Sequence, residues 1–184
     1  GYDCPMRRYE HVDRYQEAIV EHLQELIRIN SVYQAPAEPT PGGDEPFGSG
    51  PAEALRYALN LSRELGFQTD HYGNIAGHAQ YGAGGPLIGI LVHLDVVPAG
   101  QGWRHPPFGG VIDGGAVYGR GASDNKGPAI AALYSLRSFA DQVPDPPCHI
   151  RVIFGTNEEN GMKAVRRYFD HFPLPDVAIV PDAV

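Results

Sequence analysis

Residues 15–29 read YQEAIVEHLQELIRI, with Ile19, Leu23, Leu26 and Ile27 recurring at the spacing of one helical face, which predicts an amphipathic helix. The next stretch, APAEPTPGGDEPFGSG, is rich in Pro and Gly and reads as a loop. A second helix is predicted from Pro51, a residue suited to a first helical turn, to Gly66. Residues 67–71 and 74–81 suggest paired strands, and the apolar run LIGILVH at 87–93 suggests a central one. In GGVIDGGAVYGRG the Asp113-Gly114 pair lies between two short apolar runs and signals a hairpin. A helix is predicted over 126–142 with Ile130, Leu133 and Leu136 turned inward. CHIRVIFGT reads as a second buried strand, NGMKAVRRYFDHF as a helix, and DVAIVPD as the beginning of another strand. No internal repeat or low-complexity tail is visible. Strands that alternate with helices and are apolar throughout predict an α/β sheet covered by helices on both faces.

Composition narrows the class. A chain of 184 residues, 42% hydrophobic, suits one globular domain. The 22 acidic residues outnumber the 14 basic ones, for a formal charge of -8, which argues against a nucleic-acid partner. An acidic balance does not oppose metal ions, which gathered carboxylates attract. Cys4 and Cys148 are far apart and form no C-x-x-C pair, so neither a disulfide scaffold nor a thiolate zinc site is expected. No apolar run is long enough to span a bilayer, and the opening GYDCPMRRYEHVD has no signal-peptide core. These features together predict a soluble, cytoplasmic protein.

Candidate chemistry gathers where the predicted strands end, which is where open α/β sheets bind their ligands. In HLD, residues two apart on an extended chain face the same side. His93 can then offer one ring nitrogen to a metal while Asp95 accepts a hydrogen bond from the other. Taken alone, so short a motif as H-x-D favours the reading of a capping Asp beside a half-buried histidine. In YGRGASDNKGP, Asp124 precedes a helix and can either cap it or bridge two cations. Ser123 and Lys126 read as ordinary turn and helix residues. The stretch lacks the spacing of a nucleotide-binding loop. In FGTNEENG, the adjacent Glu158 and Glu159 are either exposed acids of a first helical turn or a metal ligand with a neighbouring general base. Asp182 ends AIVPDAV as a turn former or a ligand. One imidazole with several carboxylates and no thiolate suits zinc, cobalt or manganese.

The segments HLDVVPAGQGW, YGRGASDNKGP, GTNEENGM and VPDA have the order and spacing of the cocatalytic zinc peptidases. That family includes carnosinases, acetylornithine deacetylase and succinyl-diaminopimelate desuccinylase. EPFGSGPAEAL, GNIAGHAQYG and GWRHPPFGGVIDGGAVYGRGASDNKGP resemble the PepV-type (Xaa-His) dipeptidase branch in particular. The resemblance runs from about Tyr15 to the last residue. It implies a three-layer helix/sheet/helix catalytic domain with a mostly parallel central sheet. It also implies a site with two Zn2+ ions, for which Co2+ or Mn2+ can substitute. By the same resemblance His93 and Asp182 are ligands of the first metal, Asp124 the bridging ligand and Glu159 a ligand of the second. Asp95 is the active-site aspartate behind His93, Glu158 the general base, and the peptide bond after Asp124 is cis. The implied reaction is dipeptide hydrolysis by a metal-activated water. Asn125 stands where relatives often carry Asp, a difference with little evident consequence.

Chains of this family are much longer. After the aspartate matching Asp182 they insert a lid or dimerisation domain, then return with a final ligand histidine and with groups that bind substrate. Residues 1–184 are therefore expected to be the N-terminal portion of the catalytic domain, cut short, with those segments absent. The histidines at 11, 22, 71, 78, 105, 149 and 171 match no ligand motif. Two further functions stand beside the dipeptidase: an N-acyl amino acid deacylase of the same family, and an incomplete fragment that binds one metal or none. A fragment is expected to associate through surface meant for missing strands.

Overall fold

The computed structural model describes residues 10–35 and 45–182. Residues 1–9, Cys4 among them, residues 36–44 of the predicted loop and the last two residues lie outside the described residues. A single turn, α1 (Glu10–Asp13), leads into α2 (Gln16–Arg28), which buries Leu26 and Ile27 as its periodicity requires. Helix α3 (Ser49–Glu64) begins earlier than expected. Pro51 then lies inside the first turn, where its missing N–H breaks no intrahelical bond. Helix α4 (Lys126–Gln142) has the predicted bounds and buries Ile130, Leu133 and Leu136.

The main sheet contains β1 (Gln68–Tyr72), β2 (Ala76–Tyr81), β3 (Leu87–His93), β6 (His149–Gly155) and β7 (Val177–Ile179) in the spatial order β1-β2-β6-β3-β7. Strands β6, β3 and β7 pair in parallel, and β2 is antiparallel to both of its neighbours. All strands but β2 thus run one way, so the sheet is mostly parallel. The hairpin β4 (Val111–Asp113) and β5 (Ala116–Tyr118) forms a separate ribbon. Asp113 pairs with Ala116, so Gly114 and Gly115 make the turn, with φ of 57° and 80°. Both positions need the left-handed backbone of a two-residue hairpin loop, which places the turn one residue beyond the Asp-Gly pair.

Alternation along the strands builds two cores. Val152 and Phe154 of β6 point into a large cluster with α2, α3 and α4, while Ile153 points the other way toward Ala164 and Tyr168 of α5 (Lys163–Phe169). Each fully buried Leu, Ile or Phe in these clusters contributes roughly 1.5–3 kcal/mol of transfer free energy. Helices thus cover both sheet faces.

The start of α5 differs from expectation, and β7 has its own environment. Helix α5 starts at Lys163 rather than within Asn160–Gly161, because Gly161 and Met162 take φ of 98° and 57° and cannot continue a right-handed helix. Strand β7 is not buried: Val177 and Ile179 are 56% and 52% exposed. Among the described strands it bonds only to β3, so it is an edge. Among the described residues, no helix is long and apolar enough to cross a membrane.

Candidate metal centre

His93 is the last residue of β3 and is buried, with 3% of its surface exposed. Its Nδ1 lies 3.0 Å from the carbonyl oxygen of Asp95 and 3.6 Å from Asp95 Oδ1. Its Nε2 lies 3.0 Å from Asp124 Oδ1, 3.9 Å from Asp182 Oδ2 and 4.0 Å from Glu158 Oε2. The sheet topology produces this convergence. The parallel strands β3, β6 and β7 deliver their carboxyl ends to one rim, and the turn before α4 brings Asp124 across it.

Asp95 is fully buried, and its side chain does more than face the imidazole. One carboxylate oxygen accepts the backbone N–H of Glu158 at 3.0 Å, and the other accepts that of Glu159 at 3.1 Å. The exit of β3 is thereby clamped to the exit of β6. That clamp holds a tight turn, closed further by Gly161 N–H to Glu158 O at 3.1 Å and Met162 N–H to Asn157 O at 2.8 Å. Glu158 and Glu159 are half-buried on this turn, ahead of α5, not exposed on the first turn of a helix.

The turn carrying Asp124 has a cis peptide bond between Asp124 and Asn125. Asp124 does not cap α4: the capping position is Asn125, whose side chain makes no capping bond either. Gly121 in this turn has φ of 87°, and a Cβ there would come within 2.8 Å of Val96 Cγ1. Only glycine lets the turn approach the β3 exit so closely. Lys126, predicted to be an ordinary helix residue, is fully buried, and its ammonium donates to Leu26 O at 2.9 Å and Ile29 O at 2.7 Å. It ties the Asp124 turn to the C-terminal carbonyls of α2, a favourable place for a cation. Ser31 adds a second tie, its hydroxyl donating to Leu94 O at 2.6 Å.

The electrostatics favour a cation. Burial opposes charge on His93, but hydrogen bonds and negative charge from Asp95, with Asp124 beyond, outweigh it and raise the imidazole pKa to about 9. Both ring nitrogens then donate to oxygens. Glu159 is shifted upward, first by burial and then by the nearby charge of Asp124. Two donor sets meet within 4.8 Å: His93 with Glu158 and Glu159, and His93 with Asp124 and Asp182. Carboxylates gathered this closely repel one another unless a cation lies among them. One imidazole nitrogen with carboxylate oxygens fits zinc, manganese or cobalt, which would displace the Nε2 proton. The fit is therefore good, and His93 is the histidine common to both sets.

The residue types read from sequence do come together here: His93, Asp95, Asp124, Glu158, Glu159 and Asp182 share one rim. Asn125 bonds to His93 and Asp182 of the site, whereas Lys126 anchors the turn to the end of α2. In the sequence they are a polar pair directly after Asp124 at a predicted helix start, and Asn125 also stands where relatives often carry Asp.

Comparison with known proteins gives a consistent result. The model of peptidase family M20/M25/M40 matches residues 89–180. The YtjP protein of Bacillus subtilis (strain 168) is 41% identical over 172 residues, covering 94% of this chain and 36% of the relative. The Beta-Ala-Xaa dipeptidase of Lactobacillus delbrueckii subsp. lactis is 39% identical over 171 residues, covering 91% of this chain and 35% of the relative. Among solved structures, human carnosine dipeptidase 1 superposes with a TM-score of 0.77 at 25% identity, over 97% of this chain and 41% of that one. The chain thus spans little more than a third of the length of these relatives.

Proposed function

This chain belongs to peptidase family M20/M25/M40, and from that premise we propose that it is the first part of a catalytic domain that hydrolyses dipeptides. Divalent metal binding accompanies the family, and the two donor sets around His93 are consistent with it. We assign His93 and Asp182 to one zinc ion, Glu159 to a second, and Asp124 to both. The observation that carries this reading is His93 Nε2 facing oxygens of Asp124, Asp182 and Glu158 at 3.0–4.0 Å on one rim of the sheet.

When bound, divalent ions in such a site polarise the scissile carbonyl and acidify water. Glu158 is the general base: its carboxylate takes the proton of the attacking water and gives it to the leaving amine. Asp95 serves by holding both the imidazole of His93 and the backbone beneath Glu158. Leu91, Val165 and Val180 wall a small cavity of about 60 Å³ beside Glu158 and Asp182, an apolar flank to the rim. The similarity to a Beta-Ala-Xaa dipeptidase favours a dipeptide over an N-acyl amino acid as substrate.

Glu158→Ala tests the assignment. Turnover of a β-alanyl dipeptide should fall by at least about 100-fold. Metal content, read by elemental analysis, should stay at the parent level. Loss of metal with activity would make Glu158 a ligand instead of the base. Faster hydrolysis of an N-acetyl amino acid than of the dipeptide would move the chain to the deacylase reading.

A further inference from the structure

We propose that Asn125 is a positioning residue of the metal centre, holding Asp182 in place opposite His93. The inference rests on the reading of Asp182 as a metal ligand. Strands β3 and β7 pair only from Ile88–Val177 to Ile90–Ile179. Their ladder stops short of His93 and Asp182, so backbone pairing does not set the distance between those two residues. The side-chain amide of Asn125 fills that opening. It is 1% exposed, and all its polar atoms are engaged. Its Oδ1 accepts the backbone N–H of His93 at 3.3 Å. Its Nδ2 donates to Pro181 O at 2.9 Å and to Asp182 Oδ1 at 3.0 Å.

An amide suits the bonds made at this position. One acceptor must meet an N–H and two donors must meet oxygens, and only a primary amide offers both on one planar group. The same pattern fixes which way the amide points. Occupying Oδ1 of Asp182 also leaves Oδ2 as the oxygen turned toward His93 Nε2, at 3.9 Å. An ionised carboxylate at position 125 would lack the donors that meet Pro181 O and Asp182 Oδ1 in this chain.

The test is a double-mutant cycle of Co2+ affinity, read from the visible absorption of the bound ion. It compares the parent, Asn125→Leu, Asp182→Ala and the double variant. Asn125→Leu keeps the volume and removes every donor and acceptor. It should weaken Co2+ binding by about 10-fold or more. In the Asp182→Ala background the same change should cost less than about twofold, because the residue it acts through is gone. An equal cost in both backgrounds, or none in the parent, overturns the proposal. Parent-like binding by Asp182→Ala overturns the ligand reading, and the proposal with it. Asn125→Ala is carried through the same cycle. If neither variant of Asn125 melts cooperatively without metal, the residue belongs to folding and the proposal fails.

Discussion

Asp95 has no solvent exposure and two backbone amides on its carboxylate, so removing it strands both the Glu158 and Glu159 N–H groups. Asp95→Ala should lower stability by about 2–4 kcal/mol, since unpaired amides and a disturbed imidazole add their costs. Asp95→Asn keeps one carbonyl oxygen and should cost clearly less. Urea unfolding of the metal-free protein checks this, and equal losses in the two variants would contradict the clamp. At this scale the sequence was informative about polar residues that end apolar runs, which is how His93, Glu158 and Asp182 stood out. It was silent about the partners of Asn125 and Lys126, which lie 56 and 100 positions away. Their roles depend on which strand exits meet, and no local pattern encodes that. Burial also drives the Lys126 amine down to about 7, against some opposition from Asp95, a consequence of packing alone.

Strands β3 and β6 and helix α4 were legible because long apolar runs and a clear helical period leave little freedom. Helix α5 was overextended because left-handed Met162 is not a residue that announces a turn. The exposure of β7 was hidden for another reason: an apolar run looks the same at an edge as in a sheet interior. Between β2 and α5 the structure holds a buried histidine that carries a pH consequence. His78 is 4% exposed and its Nδ1 lies 2.8 Å from the hydroxyl of Tyr168, within hydrogen-bond distance. Burial, aided by Arg151, lowers its pKa from 6.5 to about 4. The unfolded chain therefore binds the extra proton first. Stability present above pH 6.5 should be lost as pH falls toward 4, by up to about 3 kcal/mol. His78→Gln, whose amide can either accept from or donate to the Tyr168 hydroxyl, should flatten this part of the stability profile relative to the parent. Denaturant unfolding between pH 7 and 4 checks it, and parallel profiles would assign the acid sensitivity elsewhere.

The molecule as a whole is a mostly parallel sheet between helices, with strand ends carrying one imidazole and a set of carboxylates to a common rim. Fold class and rim could both be foreseen, because alternating elements imply parallel strands and parallel strands share an exit side. The bonds that join the exits, from Asp95 to the β6 turn and from Asn125 to Asp182, emerged only with the three-dimensional arrangement. The most direct test of the central claim is zinc content after reconstitution and exhaustive buffer exchange, for the parent and for a His93→Ala, Asp124→Ala variant. At least one zinc ion per parent chain is expected, and loss of it in the variant. A parent that retains no zinc, or a variant that retains as much, would contradict a metal centre at this rim.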